Sequence, residues 1–508
     1  MNFLERLLDH YHLSFNQYES MIQDVNEGVI PSYNIFNNIA KVKDRILKAI
    51  KNKEKILIYG DYDCDGIMAT SILVSAFKKL DYPVDYYIPS RYKDGYGINV
   101  NQVKIAKEKG YQLIITVDNG VNAFDAIKQA HNLNIEIIIT DHHEYNELPD
   151  VDYFLHPKES SLKVTTSGAV VAFYLSYALL NRIDNYLLVM AANSVIADVM
   201  PLKEENRDLV KLGIKYLNKN KYLPFNLLSF SYSYDEIVLG IKVNPKINAI
   251  GRIEKGEEVN ILVKYFTSNN YKELINIRNY IEEVNNRRKQ LANEALKSLL
   301  DDKQSAYVTK LDIISGLSGL IASRILANKN VPTAIFARDE ITNNLRGSIR
   351  SKNGCSVIEF INNNLDLFIE HGGHDLAAGV VIKEENYEEL KSRFIKFADE
   401  HPFKKESGYI PILINEINMK NYKLIRSLSP FGQDFKEPTF IINNVEVSNI
   451  KRFGKNLEHL SILVSSGVKI IGFNYPFNKI TSDKIDLIGK FSLNNYKNIT
   501  TLNFTLEN

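Results

Sequence analysis

Between Lys55 and His156, short β-branched runs alternate with amphipathic stretches. Ile56–Tyr59, Val84–Ile88, Leu113–Val117 and Ile135–Thr140 are almost wholly apolar, which predicts strands buried on both faces. Between them, Ile67–Leu80, Val100–Lys109 and Ala123–Asn132 repeat apolar positions at helical spacing. This βαβα order predicts a parallel sheet covered by helices, with ligands at the carboxyl ends of its strands. Gly168–Ala197 is apolar and predicts buried helix, whereas Asn270–Leu300 is long, charged and helical, with Arg287, Arg288 and Lys289 together, and predicts a connector. A second, smaller α/β unit is expected from about Ser305 to His401. The pattern then changes. Pro411–Leu413, Thr439–Ile442, His459–Val464 and Val468–Phe473 alternate with Gly, Asn and Asp turns, which predicts a small β-barrel or sandwich. The expected domains are an α/β catalytic domain with an N-terminal extension over 1–268, a connector helix over 269–303, a smaller α/β domain over 304–405 and the barrel over 406–508.

At 508 residues the chain exceeds what one core supports, and 45% apolar with 24% charged residues is a globular composition. No uninterrupted apolar stretch is long enough to span a bilayer, and Met1–Gln17 lacks a signal-peptide layout. Cys64 and Cys355 cannot form a disulfide framework, so a reducing cytoplasm and no membrane association are expected. With 62 basic against 61 acidic residues, bulk charge cannot hold nucleic acid. A polyanion must be met by local patches. One candidate run is Lys41–Lys55, although a run of this kind is more often a solvated helix face.

The chemistry concentrates where strands end. Asp61, Asp63 and Asp65 alternate in Tyr59-Gly60-Asp61-Tyr62-Asp63-Cys64-Asp65-Gly66, between the first strand and the next helix. Three anions this close repel one another unless a cation neutralises them. Asp118-Asn119-Gly120, Asp141-His142-His143-Glu144 and Ala197-Asp198 close three further predicted elements. Any one Asp at a strand end could be a helix cap. Parallel strand ends share one edge, however, so the four clusters can converge. Carboxylates with a neutral imidazole suit Mn²⁺, or Mg²⁺ at the carboxylate-rich end, and so many ligands suggest two ions bridged by a carboxylate. Adjacent histidines point apart, so His142 is expected as a direct ligand and His143 as a group that touches substrate or supports the ligands. Cys64 is read as a small buried packing residue.

These four clusters, in this order, resemble the four motifs of the DHH phosphoesterases, named for Asp141-His142-His143. His371-Gly372-Gly373-His374-Asp375 is similar to the Gly-Gly-His motif of the associated DHHA1 domain. Pro245-Lys246-Ile247-Asn248-Ala249-Ile250-Gly251-Arg252, Gly347-Ser348-Ile349-Arg350-Ser351 and Leu428-Ser429-Pro430-Phe431-Gly432 narrow the resemblance to the family's RecJ-type branch, whose last domain is an OB fold.

The resemblance implies a metal-dependent exonuclease that degrades single-stranded DNA 5′→3′ to 5′-mononucleotides in repair and recombination, using Mn²⁺ or Mg²⁺. It implies metal ligation by Asp61, Asp63, Asp65, Asp118, His142 and Asp198, with Asp118 as the bridge and catalytic parts for Asp118, His142, His143 and His374. Substrate contacts are implied for Arg91, Asn248, Arg252, Ser348, Arg350, Gly372 and Gly373, with Ser348 and Arg350 at a 5′-phosphate. Lys242, Lys246, Arg252 and Arg287 are expected to track the backbone and Tyr96 to stack on a base. A monomer is expected, with a helicase and a single-strand-binding protein as partners. Three positions depart from the family pattern: Lys246 replaces an arginine, Ile313-Ile314 stands where the family has Trp-His, and Ser194-Val195 replaces Gly-Thr. Two other readings are an oligoribonuclease or dinucleotide phosphodiesterase and a non-catalytic replication scaffold. The barrel and connector weigh against the first, and the intact acidic clusters against the second.

Overall fold

β1 (Ile56–Tyr59), β2 (Asp85–Tyr87), β3 (Leu113–Val117), β4 (Glu136–Thr140) and β5 (Tyr153–Leu155) pair in parallel in the order β2-β1-β3-β4-β5. The computed structural model that shows this describes every residue except 298, 300–303, 340–341, 405–406, 448–449, 455–456, 465–467, 476, 478–479, 481–483, 497–498 and 508. All residues of β1 and β3 are buried, as continuous apolar runs require when both sheet faces are covered. Leu57, Tyr59, Ile114, Ile137 and Ile139 pack with Val103, Ala106, Ala126 and Ile127 of the helices Val100–Glu108 and Phe124–Asn132. The helices Cys64–Lys79 and Gly168–Leu180 lie against the same strands.

The carboxyl ends of β1 and β3 are tied by one side chain. Asn119 is buried, and its Nδ2 donates to the carbonyls of Tyr59 (3.2 Å), Gly60 (3.1 Å) and Val117 (2.9 Å). Its Oδ1 accepts the Ile98 N–H at 3.2 Å. The edge that carries the acidic clusters is therefore held rigid from within.

Two details differ from the expected elements. The helix expected over Ile67–Leu80 starts at Cys64, because the Asp63 side chain caps it. β5 is three residues long, too short for periodicity to reveal.

The second sheet runs β6 (Tyr307–Lys310), β7 (Thr333–Arg338), β8 (Leu345–Arg350), β9 (Phe368–His374) and β10 (Ala377–Ile382), in the order β6-β7-β8-β10-β9. Only β6 and β7 are parallel; the rest of the sheet is antiparallel. Along β8, Leu345, Gly347 and Ile349 face the core, whereas Arg346, Ser348 and Arg350 point to the other side. The helix Tyr271–Lys297 packs on Asn244–Ile253 and on Ser318–Lys329, so both α/β sheets share one compact unit, Val25–Lys404 with Gly432–Asp434.

The other unit comprises Met1–Asp24, Lys405–Phe431 and Phe435–Asn508. Its sheet contains β11 (Ile410–Pro411), β12 (Phe440–Glu446), β13 (Ile450–Phe453), β14 (His459–Leu463), β15 (Lys469–Gly472), β16 (Lys484–Tyr496) and β17 (Ile499–Leu506), in the order β11-β12-β16-β17-β15-β14-β13. The first residues fall in this unit rather than with Val25–Lys404, unlike the expected 1–268 grouping. Phe3, Leu7, Leu8 and Tyr18, on the helices Phe3–His10 and Phe15–Ile22, share a core with Phe440, Ile442, Phe491 and Phe504. Only long-range packing decides this, so no local pattern could announce it. Leu7 has no exposed surface, and Leu7→Ala should therefore destabilise this unit by about 2–5 kcal/mol, measured as a lower denaturation midpoint of its transition.

Candidate metal centre and phosphate site

Each acidic residue is aimed by a different local device. Asp63 caps its helix through Oδ1 alone, which accepts the N–H groups of Asp65 (2.9 Å) and Gly66 (3.1 Å). Asp65 lies in the helix's first turn, and its two oxygens accept the N–H groups of Gly168 (2.7 Å) and Ala169 (2.8 Å), at the start of the helix Gly168–Leu180. The Ser194 hydroxyl also donates to Asp65 Oδ1. Asp118 has φ +62°, a left-handed conformation uncommon for Asp, and it turns the chain sharply as β3 ends. Gly168 permits this, since a Cβ there would lie 2.6 Å from the Asp118 side chain. Asp198 closes the helix Asn185–Ala197.

These devices converge on His142. Its Nε2 lies 3.0 Å from Asp118 Oδ1, 3.5 Å from Asp65 Oδ2 and 3.6 Å from Asp198 Oδ2. Donor atoms within 4.8 Å of one another fall into three overlapping sets: Asp118, His142 and His143; Asp65, His142 and Asp198; and Asp61, Asp63 and Asp118. Asp118 stands in two of them, and so does His142.

The electrostatics call for positive charge. Burial, then the neighbouring carboxylates, pushes the carboxyl groups of Asp61, Asp63, Asp118 and Asp198 above their ordinary range. Burial keeps His142 neutral, the form that binds a metal. Asp61 Oδ1, Asp118 Oδ1 and Asp198 Oδ2 are buried and accept no hydrogen bond. Such orphaned oxygens, in a carboxylate-imidazole set, fit a divalent cation pair.

Asp141 is different. Burial alone would raise it, but the hydrogen bond and charge of His143, with donors that include the Val121 N–H (2.9 Å), bring it down to about 2. Its Oδ1 lies 2.8 Å from His143 Nδ1. Burial would lower His143, but this bond together with the charges of Asp141, Asp61 and Asp198 outweighs it and raises that imidazole to about 9. Asp141 thus orients the His pair and holds a proton on His143. Asn119, Asp141, Gly168 and Ser194 are supports of the site that sequence reasoning did not assign; the first two stood inside quoted motifs as neighbours of the expected ligands, and Ser194 stood only as a departure from the family pattern, although its hydroxyl touches Asp65.

A second cluster lies beside the first. Arg252 sits on the helix Asn244–Ile253, whose Gly251 packs so close to Tyr62, between Asp61 and Asp63, that a Cβ would lie 2.5 Å from the Tyr62 carbonyl. On that helix Asn248 Oδ1 accepts the Cys64 N–H at 2.8 Å, so this expected substrate contact also braces the metal loop. Arg91 lies over the Tyr62 ring at 5.6 Å. Among the described residues, Arg350 donates only to backbone carbonyls, those of Ile349 (2.8 Å) and Ala378 (3.4 Å). A Cβ on Gly319 would lie 2.7 Å from Arg350 Nη2 and 3.2 Å from Ser348 Oγ, so these two side chains share one pocket. Among the described residues, Arg91, Arg252 and Arg350 have no carboxylate within ion-pair distance. By contrast, Lys246 pairs with Glu282 and Arg287 with Glu254, so two of the cations expected to track a backbone are already neutralised.

His374 and Gly372 stand on the exposed strand β9. The registers Ser348↔Gly379↔Gly372 and Arg350↔Ala377↔His374 put all of them on one sheet face, with His374 two strands, or about 10 Å, from Arg350. A Cβ on Gly372 or Gly379 would meet no atom within 4 Å, so the floor between the strands is open, while Gly373 has φ +149° and a Cβ there would crowd Ala377 and Ala378. No hydrogen bond, ion pair or ring contact joins His374 to the acidic cluster among the described residues. Tyr96 is half exposed, and its hydroxyl lies 3.1 Å from the His143 ring nitrogens.

Known proteins share this organisation. The N-terminal domain of the DHH family matches residues 55–200, the DHHA1 domain residues 302–400 and the RecJ OB domain residues 410–508. The single-stranded-DNA-specific exonuclease RecJ of Bacillus subtilis is 32% identical over 484 residues, 90% of this chain and 61% of that protein, so the chain spans about three fifths of its length. The crystal structure of RecJ in complex with Mn²⁺ from Thermus thermophilus has a TM-score of 0.81 at 24% identity, covering 94% of this chain and 73% of that one. A crystal structure of exonuclease RecJ bound to manganese has a TM-score of 0.61 at 28% identity, covering 74% of this chain and 96% of that one.

Raised carboxyls bind more protons in the native than in the unfolded state. Their contribution to stability is therefore present at low pH and is lost as the pH rises from the unfolded value, about 4, through the raised native values. Without metal, Asp118→Asn should melt higher than the parent at pH 8, with the difference shrinking towards pH 5. Mn²⁺ at a hundred times its Kd should stabilise the parent by about 2.7 kcal/mol per site and the variant by much less, both read from melting curves.

Proposed function

We propose, because this chain belongs to the DHH family in its RecJ-type form, that it is a divalent-metal-dependent exonuclease acting on single-stranded DNA from a 5′-phosphorylated end to release 5′-mononucleotides. The observation that carries the reading is the contact of Gly251 with Tyr62, which sets the unpaired guanidinium of Arg252 beside the orphaned carboxylates. A terminal phosphate anchored on the arginine side puts the next phosphodiester at the acidic side. Cleavage then removes one nucleotide at a time, counted from the 5′ end.

Asp61, Asp63, Asp65, Asp118, His142 and Asp198 would hold two cations, which supply an activated water and neutralise charge developing on the phosphate. The residues do the rest. Ser348 and Arg350 donate to the terminal phosphate, and a guanidinium there gives a paired, directional contact. His143, kept protonated by Asp141, can donate to a phosphate oxygen or to the leaving oxygen. Tyr96 can stack on the terminal base while its hydroxyl fixes His143. The open floor at Gly372 and Gly379 admits a nucleotide against the β8–β10–β9 face, with His374 at its margin. The C-terminal unit would hold more of the strand, and a helicase or a single-strand-binding protein is the class of partner that would present such a strand.

The test gives the protein Mn²⁺ or Mg²⁺ with labelled single-stranded DNA, the same DNA as duplex, and a dinucleotide. Mononucleotide release from single strands should dominate, and preference for the dinucleotide would overturn the reading. Asp118→Ala should slow hydrolysis about a hundredfold or more with the fold intact by circular dichroism, since even outer partners of metal ligands matter ten- to a hundredfold.

A further inference from the structure

The short strand β5 runs directly into His156, a residue that stands in none of the motifs. His156 is 1% exposed. Its Nε2 lies 2.9 Å from the His143 carbonyl oxygen, and its Nδ1 accepts the Lys158 N–H at 3.1 Å. A ring nitrogen that accepts carries no proton, so the imidazole is neutral and Nε2 is the donor to His143. Burial also favours the neutral ring. Phe154, stacked at 5.6 Å, and Tyr145, edge-on at 4.9 Å, hold the plane of the imidazole.

His156 is one point of a longer brace. The Asp141 N–H donates to the Leu155 carbonyl at 3.1 Å. Lys158 Nζ pairs with Glu144, and the Tyr145 hydroxyl donates to Glu159 at 3.2 Å. Four residues of the segment 141–145 are thus fastened to the segment 155–159. The pair of Lys158 with Glu144 is exposed and contributes little. The bond to His143 differs, because a buried ring of fixed tautomer makes it. It ends on the backbone of the residue whose own ring meets Asp141 at 2.8 Å.

We propose that His156 is a positioning residue for the reaction, which fixes through the His143 carbonyl where the His143 imidazole meets the substrate. This rests on the reading of His143 as a donor to the phosphate or to the leaving oxygen. Misplacing such a group by about 1 Å costs on the order of a hundredfold in rate. The other ring nitrogen has a separate task. Nδ1 caps the turn Pro157–Glu159, and Nε2 alone reaches across to His143. The two tasks are therefore separable by substitution.

Steady-state hydrolysis of a 5′-phosphorylated single strand at saturating Mn²⁺ tests this on the full chain, together with melting curves and Mn²⁺ titration. His156→Asn keeps an oxygen that can cap the Pro157–Glu159 turn, but its side chain is too short to reach the His143 carbonyl. It should lower kcat about tenfold or more, with KM and Mn²⁺ affinity within about twofold of the parent's. His156→Gln carries an amide N–H further out and should recover most of the loss. An unchanged kcat in His156→Asn overturns the assignment. So does an equal loss in both variants, or a loss matched by weaker Mn²⁺ binding, which marks a structural role only. If His156→Asn does not fold, His156→Gln decides. A kcat near the parent's upholds the donor, and a loss of about tenfold at the parent's melting temperature overturns it. A parent that does not hydrolyse single strands overturns the functional reading beneath the proposal.

Discussion

Mutual repulsion among buried carboxylates is the constraint around which this molecule is organised. Asp61, Asp63, Asp118 and Asp198 are forced together by strand ends and helix ends, and three of their oxygens receive no hydrogen bond. Such an arrangement is unfavourable by itself and persists only because the scaffold over-determines it. Asn119 locks β1 to β3, Gly168 leaves room for the left-handed turn at Asp118, and the first N–H groups of the helix Gly168–Leu180 fix Asp65. These devices use a side-chain amide, packing and backbone donors, and they leave Asp61 Oδ1, Asp118 Oδ1 and Asp198 Oδ2 without hydrogen bonds. Divalent cations relieve the tension that the fold creates.

The cationic side repeats the principle with the sign reversed. Arg91, Arg252, Arg288 and Arg350 lack carboxylate partners among the described residues, while Arg45, Arg287, Arg346 and Lys246 are paired. Because Gly251 rests on Tyr62, the two unsatisfied clusters touch. On the proposed reading, a nucleic-acid end supplies the phosphate that the guanidinium cluster lacks, while divalent cations supply the positive charge that the carboxylates lack.

Much of this was legible in the sequence. Continuous β-branched runs revealed the parallel strands because burial on both faces demands them, and the acidic clusters fell at strand ends because parallel topology puts those ends on one edge. Other features were not legible. Asp63 as a helix cap moved Asp65 into a helical turn, which alternation along an extended run did not foresee. The first 24 residues join the C-terminal unit through Phe3, Leu7 and Leu8, a long-range contact without local signal. The pairing of Lys246 with Glu282 and the isolation of Arg288 depend on which side chains meet across helices. One-dimensional charge patterns cannot separate a satisfied cation from an unsatisfied one.

Electron paramagnetic resonance of the manganese-loaded protein tests the central claim most directly. Two Mn²⁺ ions per chain, exchange-coupled as expected for ions about 3.5–4 Å apart, are predicted when Asp118 is intact. Failure to bind manganese, or a signal from one isolated ion only, would contradict a paired-cation centre built from these carboxylates.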